Sequence, residues 1–200
     1  MEPVRIVESR ALPLDRSDVD TDQIIPSHWL KRVERTGFEA GLFSSWREDP
    51  SFVLNDERYA GAEILVAGPN FGTGSSREHA VWAIQQYGFR AVVAPRFGDI
   101  FGNNAAKCGL VTAAVDADFG RALIDAVLAD HTLTVRVDVQ NRTVEAPAAG
   151  LAATFPLPEA VQERLLGGLD DIAVTLGHAE AIDAFEQTRP TWLPVTAARL

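Results

Sequence analysis

The sequence has very little cysteine, and this scarcity limits the chemistry that the chain can hold by itself. One cysteine, Cys108, occurs among 200 residues. A lone cysteine excludes an intrachain disulfide, and it also excludes an iron–sulfur cluster or a structural zinc site built on this chain's own thiolates. We therefore expect no cofactor and no metal in this chain. Any metal that its chemistry requires is expected on another chain.

Positive charge is also scarce. The chain has 18 Lys and Arg residues against 28 Asp and Glu residues, a formal net charge of −10. Nucleic-acid binding depends on basic surfaces, so we expect no nucleic-acid partner. No segment approaches the roughly 20 apolar residues of a membrane span, and the N-terminus lacks the apolar core of a secretion signal. These features predict no membrane partner and a cytoplasmic location.

The remaining composition is that of a globular protein, with 46% apolar and 23% charged residues. A chain of this length buries one core, and neither a repeat nor a low-complexity linker divides it. We therefore predict a single domain over residues 1–200.

The spacing of apolar residues predicts an α/β fold. EILVAGPN (63–70) and RAVVAP (90–95) are short apolar runs typical of buried strands, and the segment between them has helical spacing, which predicts a βαβ core. LVTAAV and DADFGRALIDAVLAD predict a further strand and helix. TLTVRVDV and RTVEAP alternate apolar and polar residues, which predicts an antiparallel part. Helices are predicted for two C-terminal stretches, PEAVQERLLGG and LDDIAVTLGHAEAIDAFEQ.

The stretch PNFGTGSSREHAVWAI (69–84) concentrates polarity at the start of the predicted helix. A glycine-rich turn before a helix is a common anion site, because the first backbone N–H groups are unpaired there. The stretch matches neither of two phosphate-binding motifs. The mononucleotide loop requires a lysine after Gly74, and the dinucleotide fingerprint requires a third glycine. Ser75 and Glu78 have the spacing of a capping box, so ordinary capping is one interpretation. A carboxylate site is the other, because Arg77 offers a planar fork of donors.

A second polar cluster, SDVDTDQIIP, begins like a calcium loop with Asp18, Asp20 and Asp22. Calcium is excluded, because Gln23 stands where the loop requires glycine and Trp29 where it requires glutamate. Two interpretations stay open. Either the aspartates bond to the local backbone, or one of their carboxylates orients a catalytic group in another subunit.

Four segments, DTDQIIP, GPNFGTGSSREHA, RFGDIF and GLDDIAVTL, occur in an order and spacing that resemble a known family. The chain resembles, over nearly its full length, the 3-isopropylmalate dehydratase small subunits of the aconitase superfamily. The resemblance implies the swivelling β/β/α domain that corresponds to the fourth domain of aconitase. It also implies a heterodimer with a large subunit that carries a 4Fe–4S cluster on three cysteines. The implied reaction belongs to leucine biosynthesis and interconverts 2-isopropylmalate and 3-isopropylmalate through isopropylmaleate.

The resemblance implies roles for individual residues. Ser75 matches the catalytic serine, which as an alkoxide removes or returns the proton on the carbon beside a carboxylate. Ser76 and Arg77 match groups that bind a substrate carboxylate, and Gly74 lets the substrate approach the backbone. A threonine–aspartate pair that lines the same site is matched by Thr21 and Asp22.

Elementary energetics agree with the implied partner. A helix N-terminus stabilises an anion by at most about 2 kcal/mol, or roughly one and a half pKa units, which is too little to keep a serine as an alkoxide. Arg77 and oriented N–H donors add to this stabilisation, but the departure of hydroxide still needs a Lewis acid. Since the sequence offers no evident one, we expect it on the large subunit.

The segment SHWLKRVERTGFEAGLF (27–43) stands where members of the resembled family carry their substrate-recognition segment. Isopropylmalate presents a branched alkyl group, so we expect an apolar wall worth about 0.8 kcal/mol per buried methylene. Trp29, Leu30 and Val33 are the candidates, and the alternative is that they only anchor the segment to the core. Three basic residues would instead suit an additional carboxylate: Lys31, Arg32 and Arg35. Two other functions therefore stay open, the small subunit of a homoaconitase or methylmalate-type dehydratase and a non-catalytic anion-binding domain.

Overall fold

The computed structural model describes residues 1–190 and 192–193. Within these residues, seven strands pair into one mixed sheet. The strands are β1 (Ile6–Leu14), β2 (Ile64–Ala67), β3 (Ala91–Ala94), β4 (Val111–Ala114), β5 (Thr134–Asp138), β6 (Thr143–Ala146) and β7 (Leu151–Thr154). Their order across the sheet is β4-β3-β2-β1-β5-β6-β7.

Strand β1 joins the parallel and antiparallel parts of the sheet. Its second half, from Ala11 to Leu14, pairs in parallel with β2, and β2, β3 and β4 continue in the same direction. Its first half, from Ile6 to Arg10, pairs antiparallel with β5, which continues into β6 and β7. Because β1 and β2 are parallel neighbours, the loops that follow them leave the sheet at the same edge.

Helices cover both faces of the parallel part. The helices of the described residues are α1 (Thr21–Ile24), α2 (Glu78–Tyr87), α3 (Asp99–Cys108), α4 (Ala117–Ala129), α5 (Glu159–Gly167), α6 (Asp171–Leu176) and α7 (Ala179–Thr188). Of these, α6 and α7 have no buried residue and do not cover the sheet. The crossover helices α2 and α3 contact each other, and α4 packs across β1, β2 and β3. As a result every residue of β2 and β3 is buried, as expected for parallel strands covered on two sides.

Aromatic side chains fill the space between the parallel strands and their helices. Phe71, which follows β2, packs edge to face on Phe101 of α3 with 5.4 Å between the ring centroids. Five phenylalanines are fully buried: Phe38, Phe43, Phe71, Phe89 and Phe101. This packing fixes the segment after β2 against α3, and that segment carries the polar residues described below.

The predicted α/β architecture is confirmed. The βαβ unit is β2-α2-β3, the hairpin is β5-β6, and the further strand and helix are β4 and α4. The second C-terminal stretch divides into α6 and α7 at Gly177 and His178. Four of these strands and helices are missing from the predicted set: β1, α1, α3 and β7.

Candidate active site

Two polar loops lie side by side at the carboxyl-terminal edge of β1 and β2. We call them the aspartate loop, residues 15–26, and the serine loop, residues 68–77. Backbone hydrogen bonds join them, among them one from the N–H of Thr21 to the carbonyl of Thr73 at 3.0 Å. The two polar segments of the sequence therefore form one surface, although they are about 50 residues apart in the chain.

Glycines let the serine loop pack closely. Gly72 has a φ of 73°, and a Cβ there would lie 2.3 Å from Cγ of Phe101. A Cβ on Gly98 would lie 2.3 Å from the carbonyl oxygen of Gly72, so the loop rests directly on the start of α3. Gly74 has a φ of 87°, and a Cβ there would come no closer to another atom than 3.5 Å. Gly74 is exposed and lines the cavity described below, so a ligand can reach its backbone, whereas Gly72 is fixed by packing.

Helix α2 begins later than a cap at Ser75 requires. Its N-cap is Arg77, which has extended φ and ψ angles and makes no side-chain capping hydrogen bond. The interpretation of Ser75 and Glu78 as a capping box is therefore wrong. The buried hydroxyl of Thr21 donates to the carbonyl of Ser75 at 2.9 Å and holds that residue in the loop.

The aspartate loop itself contains a capping box. Asp20 accepts a hydrogen bond from the N–H of Gln23 at 2.8 Å, and the side chain of Gln23 accepts one from the N–H of Asp20 at 2.9 Å. Asp18 accepts one from the side-chain amide of Asn70 at 2.7 Å, across the two loops. The interpretation of local bonding is confirmed for Asp20. Asp22 is different, because its carboxylate bonds to the serine loop.

Both hydroxyls of the serine pair are free. Ser75 and Ser76 are exposed, and within the described residues neither hydroxyl has a hydrogen-bond partner. The carbonyl of Ser75 is fixed by Thr21, so the residue is held at its backbone and available at its side chain. Two adjacent hydroxyls held in this way are available to donate to, or accept from, a bound ligand.

Arg77 is oriented before any ligand arrives. Its side chain is only 13% exposed, and both of its terminal nitrogens donate to the carboxylate of Asp22, with 2.6 Å between Nη2 and Oδ2. Nη1 also donates to the carbonyl of Ile25 at 3.3 Å. A guanidinium has five N–H donors, so the edge formed by Nε and the second hydrogen of Nη2 remains for another acceptor. That edge matches a second carboxylate.

An open cavity of about 370 Å³ adjoins the serine loop. It is lined by Asn70, by residues 72–74 and by residues 96–100, which lead from β3 into α3 and include both Arg96 and Asp99. Arg96 is exposed and has no ion-pair partner among the described residues. The cavity therefore combines the cation of Arg96 and the N–H groups at the start of α3 with the carboxylate of Asp99. The sequence reasoning assigned Arg96 no role, although RFGDIF places an arginine directly after a buried strand.

The proposed wall residues of segment 27–43 have different surroundings. Trp29 packs on Gly41, where a Cβ would come within 2.8 Å of its ring, and its buried Nε1 has no hydrogen-bond partner within the described residues. Leu30 is half-buried. Val33 is 92% exposed and does not join the other two. In the chain by itself, Trp29 anchors the segment and no continuous apolar wall forms.

Two of the segment's basic residues lie over aromatic rings. The guanidinium of Arg32 lies 5.5 Å from the ring centre of Trp29 and donates to the carbonyl of Gly37 at 3.1 Å. The guanidinium of Arg35 lies 5.7 Å from the ring centre of Trp82. The ring contacts weaken the case for an additional carboxylate at this segment. Lys31, the third basic residue, is exposed and has no ion-pair partner among the described residues.

Cys108 has the surroundings of an unreactive thiol. Burial raises the pKa of Cys108 to about 11, and the nearby carboxylate of Glu78 acts in the same direction. The sulfur donates to Glu78 at 3.5 Å. A thiol with so high a pKa is a poor nucleophile and a poor metal ligand.

Across residues 1–190 and 192–193, no group of three or more His, Cys, Asp and Glu side chains is placed to hold a metal ion.

No helix in the described part of the chain has the length and apolar content to cross a membrane.

Comparison with known proteins gives the family. Residues 1–118 match the aconitase C-terminal domain family, and residues 171–198 match the C-terminal domain of the 3-isopropylmalate dehydratase small subunit. The 3-isopropylmalate dehydratase small subunit of Parafrankia sp. (strain EAN1pec) is 60% identical over 197 residues, which cover 98% of this chain and 100% of that protein. The chain belongs to the family of 3-isopropylmalate dehydratase small subunits. The small subunit of Rubrobacter xylanophilus is 56% identical, over 97% of this chain and 98% of that protein.

A solved structure agrees with this membership. The 3-isopropylmalate dehydratase of Methanocaldococcus jannaschii superposes with a TM-score of 0.65 at 26% sequence identity, over 90% of this chain and 99% of that one. The resemblance to small subunits of this dehydratase and the aconitase-type α/β fold are both confirmed. As a 3-isopropylmalate dehydratase small subunit, the protein belongs with the hydro-lyases, and the family name itself implies a large-subunit partner.

Proposed function

We propose that the protein interconverts 2-isopropylmalate and 3-isopropylmalate through isopropylmaleate, and that it does so only as a heterodimer with a large subunit. One observation supports this above the others: the free hydroxyls of Ser75 and Ser76 stand beside Arg77, which is already oriented by a carboxylate. A small dicarboxylate substrate has the same planar carboxylate group as Asp22, so the guanidinium of Arg77 can bind it in the same way. A cytoplasmic location and a single domain over residues 1–200 stay predictions.

Ser75 is proposed as the base. Its backbone is fixed by Thr21 and its hydroxyl is free, so the oxygen can face the substrate carbon without breaking a bond of the fold. As an alkoxide it takes the proton from the carbon beside a carboxylate, and as a hydroxyl it returns the proton in the reverse direction. A proton transfer of this kind contributes about 100- to 10,000-fold to a rate.

Arg77 and Asp22 are proposed to hold the substrate together. Asp22 keeps the guanidinium in one plane, and the edge at Nε and Nη2 then binds a substrate carboxylate in bidentate fashion. The positive charge of Arg77 also favours the alkoxide of Ser75 and the negative charge that develops on the substrate. Ser76 and the open backbone at Gly74 supply further contacts to the same carboxylate.

The departure of hydroxide requires a Lewis acid. We propose that a 4Fe–4S cluster on the large subunit supplies this acid when the two subunits associate, as in the resembled family. The single, half-buried cysteine of this chain fits a cluster held elsewhere. This chain's residues then bind a carboxylate, hold the substrate carbon beside Ser75 and move the proton.

The competing substrates differ from isopropylmalate in charge. A homoaconitase-type substrate has a third carboxylate, which requires a free cation near the substrate-recognition segment. Arg32 and Arg35 lie over tryptophan rings, whereas Lys31 is exposed and has no ion-pair partner among the described residues. The ring contacts of the two arginines favour the branched alkyl substrate, with Leu30 as its principal contact and Trp29 and Val33 completing the wall when the large subunit is bound. A third carboxylate would have to be bound by Lys31.

The test is a comparison of substrates in the reconstituted heterodimer. We would co-express the protein with its large subunit and measure kcat/KM anaerobically for 2-isopropylmalate, a shorter alkylmalate, citrate and homocitrate. We expect graded losses of about 10- to 200-fold for each methylene removed, and a stronger preference against added charge. Equal or better turnover of homocitrate would favour the homoaconitase-type function. Binding of isopropylmalate without turnover by an assembled, cluster-loaded complex would favour the anion-binding domain.

A further inference from the structure

Helices α6 and α7, which we call the C-terminal arm, expose a row of large apolar side chains. Ile172 is 70% exposed, Leu176 66% and Phe185 63%, and Ile182 is also exposed. Neither helix has a buried residue. Four large apolar side chains exposed on two consecutive helices are typical of an interaction site, whereas single exposed apolar residues are normal on any surface.

Helix α7 has one apolar side and one acidic side. Ile182 and Phe185 are three residues apart and share a face, while Glu180 and Asp183 lie on the opposite face. The helix has only ten residues, and isolated helices shorter than about 12 residues are marginal in water. Because helices gain most of their stability by packing an amphipathic face, α7 requires a surface that the described part of this chain does not provide.

The base of the arm is fixed to the body. Asp171, at the start of α6, pairs with Arg164 of α5 at 2.6 Å and with Lys107 of α3 at 3.6 Å. Asp170 caps α6 by accepting from the N–H of Ala173 at 2.8 Å. These contacts fix the start of α6 to the rest of the protein. The exposed apolar side chains of the arm follow this attachment point in the chain.

The charge of the arm argues against a second copy of this chain as the occupant. Helix α7 carries three carboxylates, Glu180, Asp183 and Glu186, and no lysine or arginine. Glu186 lies one turn from Ile182 and borders the apolar face. Two arms packed face to face would bring like charges to the same rim, which is unfavourable. An anionic lipid surface would be repelled by the same carboxylates.

We propose that the C-terminal arm is a docking surface for the large subunit, which receives Ile182 and Phe185 in an apolar groove bordered by lysine or arginine. The inference rests on the proposed function, because it requires that partner. Recognition follows the helix-in-groove mode, in which residues at helical spacing anchor an amphipathic helix. The large subunit would then stabilise α7 and add an attachment away from the serine loop.

The test measures the dissociation constant between the large subunit and the full-length chain. Phe185→Asp and Ile182→Asp are compared with Leu128→Asp, which changes an exposed leucine of α4 in the same way. We expect Phe185→Asp to raise Kd by about 30-fold or more, as for a central aromatic anchor, and Leu128→Asp to leave it unchanged. Phe185→Leu should retain most of the affinity. Circular dichroism and thermal unfolding verify that every variant keeps its fold.

The outcomes separate this inference from the proposed function. If the wild-type chain binds the large subunit and both aspartate variants bind as tightly, the inference alone is overturned. If the wild-type chain does not bind the large subunit at all, the proposed heterodimer and the inference both fail. If light scattering shows that the wild-type chain self-associates and Phe185→Asp makes it monomeric without changing Kd, a second copy is the occupant and the inference is wrong.

Discussion

Arg77 donates from both terminal nitrogens to the carboxylate of Asp22, 55 positions away in the sequence. The pair connects the serine loop to the aspartate loop and leaves the Nε edge of the guanidinium available. Because Asp22 is 57% exposed, the pair adds little to the stability of the fold. Its function in our account is to orient Arg77 for a substrate carboxylate.

Arg77→Lys should lower kcat/KM for 2-isopropylmalate by about 10- to 150-fold, because lysine keeps the charge and loses the bidentate fork. Asp22→Asn should cause a smaller loss, since one oxygen acceptor remains. Both variants should unfold within about 1 kcal/mol of wild type.

Arg58→Lys is the matched control, because Nε and Nη2 of Arg58 donate to the two carboxylate oxygens of Asp56 on the surface. Steady-state kinetics of the heterodimer and urea unfolding of each variant are the measurements. An Arg77→Lys enzyme as active as Arg58→Lys would contradict the role of the fork.

Gly72→Ala should strongly destabilise the protein. The residue has a positive φ, and a Cβ would lie 2.3 Å from the ring of Phe101. Gly150→Ala is the control, because Gly150 has a φ of 67° and no atom within 4 Å of a built Cβ. We expect about 1 to 2 kcal/mol for the left-handed strain alone at Gly150, and at least about 1 kcal/mol more at Gly72, where overpacking is added. Equal unfolding free energies for the two variants would show that the packing against Phe101 is not tight.

Alkylation of Cys108 should be slow and should keep accelerating above pH 9. Its pKa is raised from 9.0 to about 11, so at neutral pH the thiolate fraction is about 100-fold smaller than for a free thiol. Because the neutral thiol is favoured in the folded state, its contribution to stability is present below pH 9 and is lost as the pH rises towards 11. Iodoacetamide rates on the folded chain and on the chain in urea test this. A plateau near pH 9 in the folded chain would contradict the raised pKa.

Leu30→Ala should lower kcat/KM for 2-isopropylmalate more than for a shorter alkylmalate. The lost contact is worth about 0.8 kcal/mol for each methylene that no longer packs on the substrate. Leu128→Ala, a truncation of a leucine on α4, should change neither value. The measurement is kcat/KM for both substrates in both variants. An equal loss for the two substrates would place Leu30 in the anchoring of the segment and not against the alkyl group.

Much of the fold follows from local patterns in the sequence. The βαβ unit could be predicted, because β2 and β3 are continuous apolar runs and Gly88 ends α2 with a left-handed C-cap. β1 could not be predicted in this way, because its first half has three consecutive polar residues, Glu8, Ser9 and Arg10, instead of an alternating pattern, and Pro13 interrupts its apolar second half. α3 contains Gly102 and two asparagines, which are poor helix formers, and packing against α2 overrides that propensity.

The site is harder to predict from local patterns, because the aspartate loop and the serine loop come together only through the parallel pairing of β1 and β2. Nothing in the spacing of the residues brings Asp22 to Arg77, and only the family resemblance placed them in one site. The real capping box was readable, since Asp20 and Gln23 have the required spacing before two isoleucines. Ser75 and Glu78 have the same capping-box spacing, but no capping box forms there. The carbonyl of Ser75 instead accepts a hydrogen bond from Thr21, and α2 begins only after Arg77.

The central claim is that Ser75 is the base, and the rate of the reconstituted heterodimer carrying Ser75→Ala tests it most directly. Ser45→Ala, at an exposed serine outside the two loops, is the control. Because Ser75 caps no helix and its hydroxyl has no partner among the described residues, assembly and unfolding free energy should match wild type. The account predicts that kcat falls by about 100- to 10,000-fold while KM changes little. A Ser75→Ala heterodimer that retains most of the wild-type kcat would contradict it.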